Sequence, residues 1–435
     1  MYIQSIEGKN FRGLPDFSLD LHKRLNVFIG NNGVGKSSIL HFIAIMISQC
    51  RSITSDRLNA VNSDIKNDKT KFSGRIKCKH SDSYILSEYV FSEKSLQSQY
   101  FENYSGSFED KNEGNCPFSQ LYNEIKDGEI PFEKNFPLVV SYPTNRAFLE
   151  IPERIRGFKP AVHPFDALEN ALESYLDFRT FIALLRMNEN AFKQRSNSLQ
   201  LSLFDSSPID PYTQWQAKQV KAVNDAISAV IPEFGELHVT QKPFRISVQK
   251  NSKKFDFLQL SDGEKCLIAL LGDLAQRLAI CNPALENPLE GDAVVLIDEL
   301  ELHLHPVWQS SLIHNLLDTF PNCQFIITTH SPLVLSGVQA ESIWVMKEED
   351  APYHPERSYG MESSELLREV MGAESRTAAV TADLDRIDRL LDSEQFDAAR
   401  AAIRELAEKT GNIPAIHAAN SYLTMMGEEQ AEIGE

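Results

Sequence analysis

The sequence predicts an α/β fold: a mixed β-sheet with flanking helices, a mostly helical insertion and a helical C-terminal tail. Three observations carry this. Near the start, the buried-strand run "LNVFIG" leads through a glycine-rich turn into a helix that is apolar nearly all round. In the second half, "AVVLIDE" and "CQFIITTH" read as buried strands on either side of the helix-period run "PVWQSSLIHNLLDTF". Alternation of this kind argues for largely parallel pairing. After residue 375, "LDRIDRLLD", "EQFDAARAAIRELAEKTG" and "PAIHAANSYLTMMGEE" read as consecutive helices, with Ala398 and Ala402 suited to close pairing.

The elements follow in order. "FSLDL" alternates Phe17, Leu19 and Leu21 with polar residues, as a half-buried strand does. "ILHFIAIMISQC" has no polar face and belongs inside a protein. From residue 52 the texture turns polar, with "YILSEYVF" strand-like and "ENYSGSFEDKNEGN" an exposed loop. "FPLVVSY" reads as a buried strand, "FDALENALESYLDFRTFIALLRMNENAFKQ" as helical, and "SNSLQLSLFDSSPIDP" as a linker. A helix over "YTQWQAKQVKAVNDAISAVI" precedes three short strands, "ELHVT", "FRISVQ" and "KFDFLQL". The expected boundaries are 1–50 for an N-terminal lobe, 51–254 for the insertion, 255–350 for a C-terminal lobe and 351–435 for a helical interaction region.

Composition bounds the function. The net charge of −18 disfavours a bulk nucleic-acid binder. Arg154, Arg156 and Lys159 read as solvated charges, and indirect nucleic-acid contact stays open. None of the six cysteines forms a C-x-x-C pair, which suits buried thiols in a reducing cytosol. The N-terminus lacks the apolar core of a signal peptide. The longest apolar run is too short to span a bilayer. A cytoplasmic protein without a membrane partner is expected.

"GNNGVGKS", Gly30 to Ser37, fits G-x-x-x-x-G-K-[ST] after a strand and at the start of a helix. Such a loop turns backbone N–H groups toward phosphate oxygens, and the helix N-terminus favours negative charge. Asn32, Gly33, Gly35, Lys36, Ser37 and Ser38 are the candidate nucleotide-binding residues. Lys36 is placed to reach β- and γ-phosphates, and Ser37 to ligate Mg²⁺. "AVVLIDE" ends a buried strand on two acids. Asp298 is the candidate Mg²⁺ ligand, and Glu299 the candidate base for the attacking water. His330 ends the next buried strand and is assigned a γ-phosphate contact. His303 and His305 lack a third metal ligand nearby, so "HLHP" reads as a turn into a helix opened by Pro306.

"SDGE", Ser261 to Glu264, is a capping box. Set in order with "KNFRG", "GNNGVGKSS", "LIDELELHLHP" and "TTHSP", "LSDGEK" resembles the signature of ABC-type P-loop ATPase heads of the RecF, Rad50 and SMC class. Within that class, "HLHPVWQ" with "TTHSPLVL" resembles the PtuA family of Septu anti-phage defence ATPases. The motifs cover about residues 1–50 and 255–350. The resemblance implies an ATPase using ATP and Mg²⁺ at composite sites between copies. Ser261 and Gly263 would then contact the γ-phosphate bound by a partner's Lys36. Leu300 to His303 would fall at the dimer seam, and Arg12 would pack near the adenine. The signature departs from the Ser-Gly-Gly-Gln of transporters, so Asp262 must face away from phosphate. No clear Q-loop glutamine is present, although "SYPTNR", Ser141 to Arg146, occupies the plausible region.

The stretch between Ser37 and Leu260 shows no sustained heptads, so a long coiled-coil arm is excluded. A regulatory or assembly subdomain is expected there. Asp383 and Asp385 lie two apart in a helical pattern and do not share a face. Only roughly a hundred residues follow His330, little room for another α/β domain. No nuclease site of its own is therefore expected. The resemblance implies an HNH-type nuclease supplied by a partner protein. The rival reading is a RecF-like repair ATPase that clamps DNA directly. A P-loop kinase or GTPase would need neither the signature nor His330.

Overall fold

A computed structural model describes residues 1–48, 64–66, 69, 71–80, 83–92, 135–144, 164–172, 211–241, 244–348, 350–373 and 376–433. The chain divides into two compact units, Met1–Leu366 and Leu367–Glu435.

The first unit opens with β1 (Tyr2–Lys9), β2 (Phe17–Asp20) and β3 (Leu25–Ile29), followed by α1 (Lys36–Ser48). Next come β4 (Lys71–His80), β5 (Ser83–Ser92), β6 (Leu138–Tyr142) and α2 (Pro211–Val230). The chain continues through β7 (Phe234–Gln241), β8 (Phe244–Lys250) and β9 (Lys253–Asp256) to α3 (Asp262–Cys281). Then follow β10 (Ala293–Ile297), α4 (Pro306–Thr319), β11 (Cys323–Thr328), α5 (Pro332–Leu335) and β12 (Ile343–Val345).

The central sheet has the order β12-β3-β11-β10-β6, and every pairing in it is parallel. Every residue of β3, β10 and β11 is buried. Strands covered on both faces read as the continuous apolar runs seen in the sequence. The neighbours β3 and β11 send the chain in opposite directions across the sheet, β3 on to β6 and β11 on to β12, so the connections reverse between them. Ligands of open α/β sheets bind at such reversals, outside the C-terminal strand ends.

A second sheet, β2-β1-β4-β5, is antiparallel. Helix α1 packs against strands of both sheets, which explains why it has no polar face. Gly8 on β1 and Gly74 on β4 are direct cross-strand partners. A Cβ on Gly74 would lie 2.6 Å from the Phe42 ring and 2.7 Å from Met46 Sδ. The paired glycines therefore let α1 approach the sheet, where Phe42 meets Phe11 and Phe17 edge-on at 5.2 Å.

Within residues 51–254, the described segments supply β4 and β5 of this sheet and the edge strand β6 of the central one. The third sheet, β7-β8-β9, and α2 complete them. Strand pairing thus crosses the expected boundary at residue 50. Two local expectations also changed. "KFDFLQL" leaves strand geometry after Asp256, because Asp256 and Gln259 form a capping box around a 3₁₀ turn at Phe257–Gln259. The helix expected from Phe165 is a 3₁₀ turn, Pro164–Leu168, followed by an irregular turn with Asn170 at φ +54°. Arg277 Nη1 takes the carbonyls of Ala167 (2.5 Å) and Glu169 (3.0 Å), acceptors that a continuing helix would use. The helical run from residue 173 and the linker before α2 lie outside the described residues, as do Arg154, Arg156, Lys159, Cys50 and Cys116.

The second unit holds α6 (Ala378–Asp392), α7 (Phe396–Thr410) and α8 (Pro414–Ile433). Ile387, Leu391, Ile403, Leu406, Ile416 and Leu423 form its core. The small residues that allow close packing are Ala399 and Ala402, both buried. Ala398, expected in that role, is exposed. Asp383 pairs with Lys409 at 3.5 Å. Among the described residues no helix is long and apolar enough to cross a membrane.

The glycine pair yields a test. Gly74→Ala should lower stability by about 1–3 kcal/mol through overpacking against Phe42 and Met46. A lowered denaturant midpoint with an unchanged slope is the expected outcome.

Candidate functional site

The C-terminal ends of β3, β10 and β11 carry the glycine loop, the acid pair and His330 singled out in the sequence. The loop after β3 is shaped by its glycines. Gly35 sits at φ +101°, and a Cβ there would lie 2.3 Å from Leu14 Cδ2. Gly30, at φ +148°, would place one 2.4 Å from the Met346 carbonyl oxygen. Asn31, Asn32 and Gly33 are exposed at the tip. Lys36 is buried beneath them, and Nζ donates to the carbonyls of Gly30 and Asn31, both at 2.9 Å. Burial pushes the Lys36 ammonium below its ordinary value, against the pull of Asp298, Glu299 and Glu301. Ser37 is exposed and Ser38 half-buried.

Asp298 follows β10. Its Oδ1 accepts from Ser37 Oγ at 3.0 Å and from Thr328 Oγ1 at 2.6 Å. Its backbone N–H donates to Tyr142 O at 2.9 Å. Glu299 has φ +48°, a conformation that non-glycine residues rarely adopt. Bonds on both sides hold it there: Glu299 N to Thr328 Oγ1 at 2.8 Å, and Leu300 N to Thr328 O at 3.1 Å. Backbone strain secured by its surroundings is concentrated at functional sites.

These residues fit a nucleotide and a divalent cation. A glycine cradle exposes its tip at a helix N-terminus, with a buried ammonium beneath that donates to the carbonyls of Gly30 and Asn31. The Ser37 hydroxyl and Asp298 carboxylate are paired oxygen donors, the kind that Mg²⁺ takes.

His330 follows β11, half-buried. Its backbone N–H donates to Glu301 Oε1 at 2.5 Å, and Thr329 Oγ1 donates to Glu301 Oε2 at 2.6 Å. Ser331 Oγ donates to Gln309 Oε1 at 2.6 Å, and Gln309 Nε2 to Leu304 O at 2.8 Å. Thr328, Glu301 and Gln309 fall inside the runs "TTHSP", "LIDELELHLHP" and "HLHPVWQ", but the sequence assigns Thr328 and Gln309 no individual role and places Glu301 only among the seam residues. Their bonding partners appear only in the fold. His305 caps α4, its Nδ1 accepting from Val307 N at 3.3 Å. Among the described residues no three or more His, Cys, Asp or Glu side chains group to hold a metal ion.

The signature residues stand at the N-terminus of α3. Ser261 does not turn away from its helix. Its Oγ donates to Glu264 Oε2 at 2.9 Å and accepts from Glu264 N at 3.4 Å, while Ser261 N donates to the same carboxylate oxygen at 2.7 Å. Gly263 is buried, and a Cβ on it would lie 2.0 Å from the His303 carbonyl oxygen. Within its own chain, Gly263 therefore lets α3 rest on the turn after Glu299. Asp262 is exposed, its Oδ1 accepting from Lys265 at 3.3 Å. Arg12, at φ +46°, is held by Asp64 through Nε at 2.8 Å and Nη2 at 2.7 Å. Of "SYPTNR", Tyr142 ends β6 beside Asp298, while Asn145 and Arg146 lie outside the described residues.

The fold and the loop, acid and strand-end geometry together define a P-loop nucleoside triphosphatase. The family described as "AAA ATPase domain" matches residues 1–335, and the chain belongs to it. A "Retron Vc95 probable ATPase" from Vibrio cholerae serotype O1 biovar El Tor is 30% identical over 376 residues, 75% of this chain and 70% of the relative. A "Septu protein PtuA" from Bacillus thuringiensis is 24% identical over 406 residues, 91% of this chain and 90% of the relative. The SMC head domain from Thermotoga maritima aligns at TM-score 0.41 and 14% identity, covering 82% of this chain and all of that one.

Glu264 supplies a pH test. Burial acts to raise its carboxyl, but hydrogen bonds from Lys250 and Ser261 outweigh burial and hold it below the ordinary value. The stabilisation is therefore full above about pH 4.3 and is lost as pH falls through the lower folded value. Thermal melts across this range should show a steeper acid loss in wild type than in Glu264→Gln. Ser261→Ala should cost about 1 kcal/mol at neutral pH through the lost cap.

Proposed function

We propose that this chain is the ATP-hydrolysing subunit of an anti-phage defence complex. The observation that carries the chemistry is the joining of Ser37, Asp298, Thr328 and Glu299 within 3.0 Å at the strand ends. On this reading the loop from Gly30 holds the phosphates. Ser37 and Asp298 hold Mg²⁺, which supplies charge neutralisation at the phosphates when bound. Glu299 accepts the proton of the attacking water. His330 orients the γ-phosphate, and Arg12 lies toward the base. The likeness to retron and Septu ATPases supports the defence assignment.

Two copies complete each other's sites through Ser261 and Gly263, and the assembly restrains an HNH-type nuclease supplied in trans. Ser261 serves its own helix first. The N–H groups of Asp262 and Gly263 at the α3 N-terminus are then what a neighbour's phosphate would meet.

Glu299→Gln should keep ATP affinity within about threefold while lowering kcat at least about a hundredfold. Equilibrium nucleotide binding and single-turnover hydrolysis measure the two effects. Wild-type turnover would remove Glu299 from the role of base. Native mass measurement of Glu299→Gln should show a larger species with ATP than without. An unchanged mass would contradict the composite site.

A further inference from the structure

Beyond the proposed ligands and base, one side chain in the turn after Glu299 links the strand-end elements. Strand β11 ends at Thr328, so the N–H of His330 has no ladder partner. Glu301 provides one. Both oxygens of its carboxylate are engaged, Oε1 by the His330 N–H at 2.5 Å and Oε2 by the Thr329 hydroxyl at 2.6 Å. Hydrogen bonds to an ionised acceptor are about twice as strong as neutral ones. Glu301 itself stands on a tight turn. Leu302 N reaches Glu299 O at 3.0 Å, and Leu304 N reaches Glu301 O at 2.9 Å. A second strap runs parallel, from Leu304 O through Gln309 to Ser331. The His330 ring makes no hydrogen bond among the described residues, and the backbone that Glu301 grips fixes the Cα–Cβ bond from which the ring projects.

We infer that Glu301 is a positioning residue for hydrolysis. Its carboxylate fixes the backbone of Thr329 and His330, and through it the imidazole, relative to the turn that begins at Glu299. The inference rests on the reading of His330 as the γ-phosphate contact. A group held to one geometry before the reaction saves reorganisation at the moment of reaction, and a misplacement of about 1 Å can cost a hundredfold. Glu301 acts through another residue, so its loss should lower kcat and leave ATP binding in place.

The test is steady-state hydrolysis by the full chain, with kcat and KM for ATP measured separately. Glu301→Ala should lower kcat on the order of tenfold to a hundredfold, with KM and melting temperature close to wild type. Glu301→Gln keeps an oxygen for the His330 N–H and an amide for the Thr329 hydroxyl, and should recover most of the rate. The double variant Glu301→Ala/His330→Ala should be no slower than His330→Ala alone, since both changes remove one function. Thr329→Val removes one of the two bonds without touching the charge. It should give a smaller fall in kcat, and it carries the test if Glu301→Ala does not fold. Wild-type kcat in Glu301→Ala and Thr329→Val would overturn the inference, as would a double variant slowed by the product of the single losses. Wild-type kcat in His330→Ala would instead remove the underlying reading of His330, and the inference with it.

Discussion

Asp298 is the point on which the candidate site depends. A carboxylate at the end of a fully buried strand is costly unless its lone pairs are used. Here one oxygen takes the hydroxyls of Ser37 and Thr328, and the backbone N–H takes the carbonyl of Tyr142. The loop and helix after β3, the end of β11 and the end of β6 are thereby joined at one residue. The linkage continues beyond the sheet. Tyr142 Oη donates to Asp273 Oδ2 at 2.8 Å, and Arg277 Nε donates to the same oxygen at 2.8 Å. Helix α3, which carries Ser261 and Gly263 at its start, is tied by this buried triad to the strand beside Asp298.

The turn from Glu299 to Leu304 does for the strand ends what Asp298 does for the loop. Glu299 is held at positive φ by Thr328, Glu301 grips the backbone before Ser331, and the His303 carbonyl touches the backbone of Gly263. Three separate sequence motifs therefore rest on six consecutive residues. A shift at any one of them is felt by the others, because close-packed backbone contacts do not deform continuously.

Much of this was legible in the sequence. The central strands show as apolar runs because both faces are covered. The glycine loop, the acid pair and His330 have fixed spacings from their strands, so locating the strands places these residues together at the candidate site. Three kinds of feature were hidden. Strand β4 buries Phe72, Ile76 and Cys78 on one face, but Gly74 interrupts that alternation, and its meaning appears only once Phe42 packs over it. The turns near Phe257 and Ala167 follow from side-chain bonds, by Gln259 and Arg277, that outweigh local periodicity. Glu301 and Gln309 act through partners 22 to 29 positions away in sequence, a separation that periodicity does not encode. Ser261 is an instructive case. Its capping box was evident from four residues, and the structure gives its hydroxyl to that box.

If the strand ends form an ATP-hydrolysing site organised by Asp298, neutralising that one carboxylate tests the account most directly. The measurement is the rate of Mg²⁺-dependent ATP hydrolysis by purified wild type and Asp298→Asn, with folding checked by melting temperature. The account predicts a folded Asp298→Asn protein whose turnover falls at least about a hundredfold. Turnover at the wild-type rate would contradict it.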